Sequence, residues 1–340
     1  MTLLRVGARA HPRISTSCNL LRQHRLARLL RTFASNNGSD RPPLDGYHVL
    51  TTRPVLEAPD SLASSPPAFL EYLRSPTAAP LLLRAHTRPA ARSRAETLLR
   101  TLWTAGDRLV EVEIGRYDKP APGTGGRMDV PLRMYLEWLT GEQGGGSGEG
   151  ERVQLYLAQW RAGDEVPGLA ETVQTPSLLA PLLANHTVDL YQSSFFIGPA
   201  TTITPLHYDP YYNLYNVYAS SDPNVHAKHF VLLPPDLSES LSRADGSVLR
   251  NTSPVDLHLR GDSSGNAFDV LIDPSTAPLR TREALSESGG ALSCVLREGD
   301  TLFVPRKWWH RVENVRLQDT DAANPGWTAG VGWWFLPRNS

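Results

Sequence analysis

The chain has 340 residues, 40% of them hydrophobic and 20% charged, and a formal net charge of −1, a profile that fits a globular protein with length for one large core or two smaller ones. No apolar run approaches the roughly 20 residues that a membrane helix requires. Two cysteines, Cys18 and Cys294, with no C-x-x-C pair, argue against a disulfide framework and a cysteine zinc site.

Residues 1 to 39 carry seven arginines, Arg5, Arg9, Arg13, Arg22, Arg25, Arg28 and Arg31, and no acid. "NLLRQHRLARLLR" sets leucines and arginines on opposing faces at helical spacing. Such an Arg-rich, acid-free start has the composition of a mitochondrial transit peptide over residues 1–33, with cleavage expected after Phe33. The expected address is the mitochondrial matrix; cytoplasm or nucleus is the alternative if the segment is not an import signal. Without these arginines the body is acidic, which argues against nucleic-acid binding.

Residues 34–65 are polar and proline-bearing and read as a linker. A short helix is expected in "PPAFLEYLR", then a strand over Pro80–Ala85. "RPAARSRAETLLRTLWTAGDR" reads as a helix, and "LVEVEIGRY", alternating apolar and acidic residues, as a half-buried strand. "VPLRMYLEWLTG" is a second helix stopped by Gly141, and a Gly-rich loop follows over 141–151. From 152 to 340 strands dominate: "VQLYLAQW", "VDLYQSSFFIG", "TITPLHYD", "NLYNVYA", "KHFVLLPP", "LSCVL", "TLFVP" and "GWTAGVGWWFLP". The 28 prolines and 26 glycines divide them, so a mainly β sandwich or barrel is expected, with residues 66–150 as its helical and strand-bearing N-terminal part.

His207 and Asp209 lie two positions apart in a strand-like run, so both project from one face. His310 follows another strand about 100 residues later in "EGDTLFVPRKWWH". Two histidines and one carboxylate on adjoining barrel strands form the facial triad that holds non-haem Fe(II) with open positions.

"TPLHYDPYYN", "KHFVLLPP" and "EGDTLFVPRKWWH" resemble the JmjC (cupin-like) Fe(II)- and 2-oxoglutarate-dependent oxygenases. The likeness is nearest to the small JmjC protein hydroxylases of the JMJD5 type and runs over roughly residues 66–336. It implies a double-stranded β-helix (jelly-roll) core with flanking helices, with Fe(II), 2-oxoglutarate and O2 as cofactor and cosubstrates. Residue by residue it implies iron ligands His207, Asp209 and His310, and cosubstrate contacts from Tyr156, Thr204, Asn213 and Lys228. Taken alone, Tyr156 reads as a core aromatic and Lys228 as a strand-edge lysine. Strict alternation does not put Thr204 on the face of His207; an irregularity at Pro205 is needed. His226 and His229 read as loop or core residues rather than ligands.

The resemblance implies hydroxylation of a protein side chain, releasing succinate and CO2. Arginine is favoured as the target because Glu113 stands where such enzymes present an acid to a guanidinium. Phe196, Trp333 and Trp334 are candidate pocket walls. Lysine demethylation, tRNA-base hydroxylation and a non-catalytic cupin-like binding module stay open as alternatives. The expected partner is a protein substrate, with no membrane involved and nucleic acid disfavoured by the acidic body.

Overall fold

The computed structural model describes residues 46–85, 91–120, 126–141, 154–200, 202–243, 249–261, 267–318 and 326–338. The expected transit peptide and most of the Gly-rich loop lie outside these residues. All described elements belong to one compact unit, formed by Leu44–Gly145 with Gln154–Ser340. No helix among the described residues is long and apolar enough to cross a membrane.

Eight strands make the core, four in each of two facing sheets. One sheet orders Thr301–Val304, Tyr212–Ser220, Trp327–Pro337 and Val188–Pro199. The other orders Ile203–Tyr208, Trp309–Arg316, His226–Leu233 and Leu292–Leu296. Neighbours within each core sheet run antiparallel. Consecutive strands mostly switch sheets, the topology of the expected jelly roll. The first sheet is extended on one side by Leu155–Trp160 and Leu109–Arg116, and on the other by Leu81–Leu83.

Local chemistry explains two helices that flank the first sheet. In Pro66–Arg74, Ser65 accepts a hydrogen bond from the Ala68 amide and proline occupies the first turn. Its buried Phe69 and Leu73 share one face, and Phe69 meets Phe303 edge-on at 5.3 Å. Leu132–Thr140 buries Leu132, Tyr135, Leu136 and Leu139, and ends on Gly141 at φ 79°.

The two faces of the second sheet bury different cores. Facing the barrel interior are Phe230, Leu232, Val312, Leu296 and Cys294, packed with Tyr156, Phe196, Tyr215 and Trp334. The outer face, with Val231, Leu233, Trp309 and Val315, is covered by Leu237, Leu241, Val255, Leu257 and Val270. These covering residues come from the long segment between His226–Leu233 and Leu292–Leu296. That segment holds two paired strands, Leu257–Gly261 and Phe268–Ile272, and the helix Leu279–Glu287. None of the three was expected from the sequence.

The stretch read as a linker also departs from expectation. His48–Leu50 pairs with Phe268–Ile272, Arg53–Pro54 with Leu292–Leu296, and Leu56–Glu57 with Leu81–Leu83. Leu50 and Val55 are buried in the two cores. A few apolar residues among prolines are enough to edge a sheet, where unpaired backbone groups already wait for partners.

Candidate metal centre

His207 and His310 are direct partners across the Ile203–Tyr208 and Trp309–Arg316 strands, with ring centroids 4.2 Å apart. Asp209 leaves the end of the first strand and brings its Oδ2 to 3.7 Å from His310 Nε2. One ligand atom from each of the three lies within 4.8 Å of the others, close enough to share an ion. Both imidazoles are oriented by backbone. His207 Nδ1 meets the Pro205 carbonyl at 2.8 Å, and His310 Nδ1 meets that of Trp308 at 3.0 Å. A carbonyl only accepts, so each Nδ1 carries the proton and each Nε2 keeps its lone pair. Burial, with His207 beside it, pushes His310 down to about 4, so its ring is neutral at pH 7. Trp334 Nε1 donates to Asp209 Oδ2 at 2.7 Å and fixes the carboxylate.

The strand that carries His207 is bulged. Thr204 opposes Val312 and His207 opposes His310, so two residues face only Arg311 between these pairs. Pro205, which lacks an amide proton, stands in the gap. The bulge changes the parity and brings Thr204 onto the face of His207. The turn before His310 is also unusual: Lys307 has φ 65°, and its amide donates to the Asp209 carbonyl at 2.8 Å.

Deeper in the barrel, the Tyr156 hydroxyl hydrogen-bonds the Thr204 side chain. Lys228 is fully buried, with its Nζ 5.8 Å from the Tyr156 ring centre and 5.9 Å from that of Tyr215. Its one hydrogen bond among the described residues is to Asn314 Oδ1 at 2.6 Å. Burial without a carboxylate partner pushes its pKa down to about 7. Asn213, also buried, leaves its Oδ1 without a partner. Unsatisfied groups of this kind mark where a polar ligand fits. The donor set suits the group expected from the sequence: imidazole and carboxylate for iron, and a buried ammonium for the far carboxylate of a keto diacid.

Glu113 lies opposite Tyr156 on the neighbouring strand and is buried. Burial pushes it up to about 7, against the pull of Arg127, whose Nη2 donates to it at 3.3 Å. Phe196 stands inside the barrel, 5.8 Å from Tyr215 and 5.9 Å from Trp334 between ring centres. Trp333 is a correction. It points out of the barrel and lines a separate cleft of about 400 Å³ with Arg94, Asn216 and Tyr218. Adjacent strand residues face opposite ways, so when Trp334 turns to Asp209, Trp333 must turn away.

Asn314 and Tyr117 were not singled out in the sequence. Asn314 sits four residues after His310, so alternation along one strand was a usable signal. Tyr117 lies in a turn and carried none. Its hydroxyl is 3.1 Å from Thr252 Oγ1, and Thr252 bridges to His207. Burial, together with the charges of Asp118, Glu113 and Asp209, pushes Tyr117 up to about 12 despite the Thr252 bond. A second acid–histidine group, Asp256, His258 and Asp273, clusters beside this turn. Arg116 and Lys119, each 2.6 Å from Asp256, already neutralise it, so it acts as an ion-pair clasp.

The fold and this geometry define a jelly-roll protein whose two-histidine, one-carboxylate group is spaced for a single ion. The profile of the cupin-like domain family matches residues 76–340, and the chain belongs to that family. It is 28% identical over 214 residues to Jumonji C domain-containing protein 5 of Drosophila melanogaster, covering 63% of this chain and 46% of that protein. It is likewise 28% identical over 213 residues to Lysine-specific demethylase JMJ30 of Arabidopsis thaliana, covering 63% and 42%. To 2-oxoglutarate and iron-dependent oxygenase JMJD4 of Danio rerio it is 25% identical over 220 residues, covering 61% and 44%. The chain thus matches less than half the length of these relatives.

Proposed function

We propose that the chain is an Fe(II)- and 2-oxoglutarate-dependent oxygenase of the JmjC group that hydroxylates a protein side chain, arginine before others. The observation that carries this reading is a pairing inside one barrel. His207, Asp209 and His310 converge at its mouth, and Lys228 stands deeper with no anionic partner among the described residues. Two of the relatives are named as a demethylase and as an iron- and 2-oxoglutarate-dependent oxygenase, which supports the same chemistry.

His207, Asp209 and His310 would hold the iron, and Lys228, Tyr156, Thr204 and Asn213 the cosubstrate. Bound iron supplies dioxygen activation coupled to decarboxylation of 2-oxoglutarate to succinate and CO2, and delivers one oxygen atom to a C–H bond. The protein orients and excludes water. Trp334 keeps Asp209 in place, the Pro205 and Trp308 carbonyls set both imidazole tautomers, and the aromatic lining keeps the interior dry. Glu113, buried opposite Tyr156, favours a cationic side chain; its contact with Arg127 is one a substrate guanidinium would have to share. Lysine demethylation uses the same centre and is the second reading, because five of the matched relatives are named lysine-specific demethylases.

The experiment is succinate release from 2-oxoglutarate by purified protein with added Fe(II), alongside mass spectrometry of proteins trapped by an inactive variant. A +16 Da mark that appears on arginines of the trapped proteins after treatment with the wild-type protein supports hydroxylation. Loss of methyl groups from lysine would move the assignment to demethylation, and no turnover at all would leave a binding module. We propose matrix delivery by residues 1–33; a reporter fused to them that stays in the cytosol or nucleus would overturn it.

A further inference from the structure

An ammonium has three donors. Asn314 Oδ1 takes one from Lys228, and among the described residues no other acceptor hydrogen-bonds it. The Asn314 amide is itself locked. Its Nδ2 donates to the Gly198 carbonyl at 3.0 Å and the Pro199 carbonyl at 2.9 Å. Its Oδ1 also accepts from the Thr328 hydroxyl at 2.9 Å, and its backbone amide bonds the Thr202 carbonyl at 2.9 Å. Turning the amide over would set an acceptor against two carbonyls and a donor against the ammonium. One orientation therefore satisfies every partner. Gly198 is part of this lock: a Cβ there would meet Tyr156 Cδ2 at 2.6 Å, so the Tyr156 ring packs directly on the backbone that holds Asn314.

A neutral acceptor at this point does two things. It fixes where the ammonium stands, and it leaves the charge uncompensated. An aspartate would fix it equally well and cancel the charge. We propose that Asn314 is a positioning residue for the cosubstrate: its locked amide holds the Lys228 ammonium at one point on the barrel wall and reserves its charge for the far carboxylate of a keto diacid. The inference rests on the oxygenase reading and deepens it. The lowered proton affinity of Lys228 agrees with the arrangement, since nothing charged among the described residues offsets its burial.

The test is calorimetric titration of 2-oxoglutarate into the full chain loaded with Zn(II), which binds the centre without turnover. Zn(II) is also titrated alone, and the fold is checked by thermal unfolding. Asn314→Asp is expected to weaken 2-oxoglutarate about 100-fold through an internal ion pair with Lys228, and Asn314→Ala about tenfold through loss of the fixed ammonium. Zn(II) affinity stays at the wild-type value in both. With Fe(II), the KM for 2-oxoglutarate rises and kcat changes little. A merely structural role would lower the folded fraction and leave the affinity of the folded protein unchanged. Should Asn314→Asp fail to fold, Asn314→Ala and Thr328→Val carry the test, the latter with an expected loss of about threefold. Wild-type affinity in the variants overturns the role of Asn314 alone. Wild-type protein that binds Zn(II) but not 2-oxoglutarate overturns the oxygenase reading together with this one.

Discussion

The second sheet buries a cation on each face, and the two are treated differently. Arg311 on the outer face is paired with Glu313 at 2.5 Å, beneath the covering segment and near His229. Lys228 on the inner face has, among the described residues, only the neutral Asn314 as a side-chain partner. Their strands are neighbours: Lys228 pairs with Asn314, and Val231 with Arg311. The outer face solves its charge within the chain, whereas the inner face leaves it open. A buried charge left open is costly, and in the proposed function a carboxylate ligand offsets this one.

The largest effect comes from breaking the inner face at its mouth. Asp209→Ala removes the carboxylate of the proposed metal centre and should abolish succinate formation; wild-type turnover in that variant would reject the site. Next is the outer pair. Glu313→Gln strands Arg311 beneath the covering segment and should lower stability by about 3 kcal/mol in urea unfolding, with 2-oxoglutarate affinity unchanged. Equal losses of stability and affinity would show that the two faces are not separable. Lys228→Met sharpens the contrast. It should weaken 2-oxoglutarate about 100-fold yet leave the unfolding midpoint level or higher, because it removes an uncompensated buried charge. A large loss of stability would mean that Lys228 is structural.

The smallest effect is in pH. Lys228 holds its proton with a pKa of about 7 in the folded protein without cosubstrate, against 10.5 ordinarily. Between these values the unfolded chain binds more protons, so this group makes stability rise with pH across that window, by at most about 1.4 kcal/mol per pH unit. The wild-type-minus-Lys228→Met difference in urea stability reads it, and a flat or opposite slope counts against an unpaired ammonium.

Much of this site was readable before the fold. The H-x-D spacing, the distant histidine after a buried strand and the lysine in "AKHFVLLPP" all sit on the expected strands, and Thr204 needed the irregularity that the bulge at Pro205 provides. Trp333 was misplaced because "GWW" offers two adjacent tryptophans and periodicity alone does not say which turns inward. The Leu257–Gly261 and Phe268–Ile272 strands were missed because each is only five residues long, and the edge strands from His48 to Glu57 because prolines hide them.

Local pattern, then, determined most of the core strands and the ligand types: alternation, turn residues and the H-x-D pair are each written within a few residues. Which face each strand turns inward, and that Asn314 and Lys228 meet with no acid between them, was decided only by the closed barrel. Register and burial depend on contacts between residues far apart in the chain, and a single bulge is enough to exchange inside for outside.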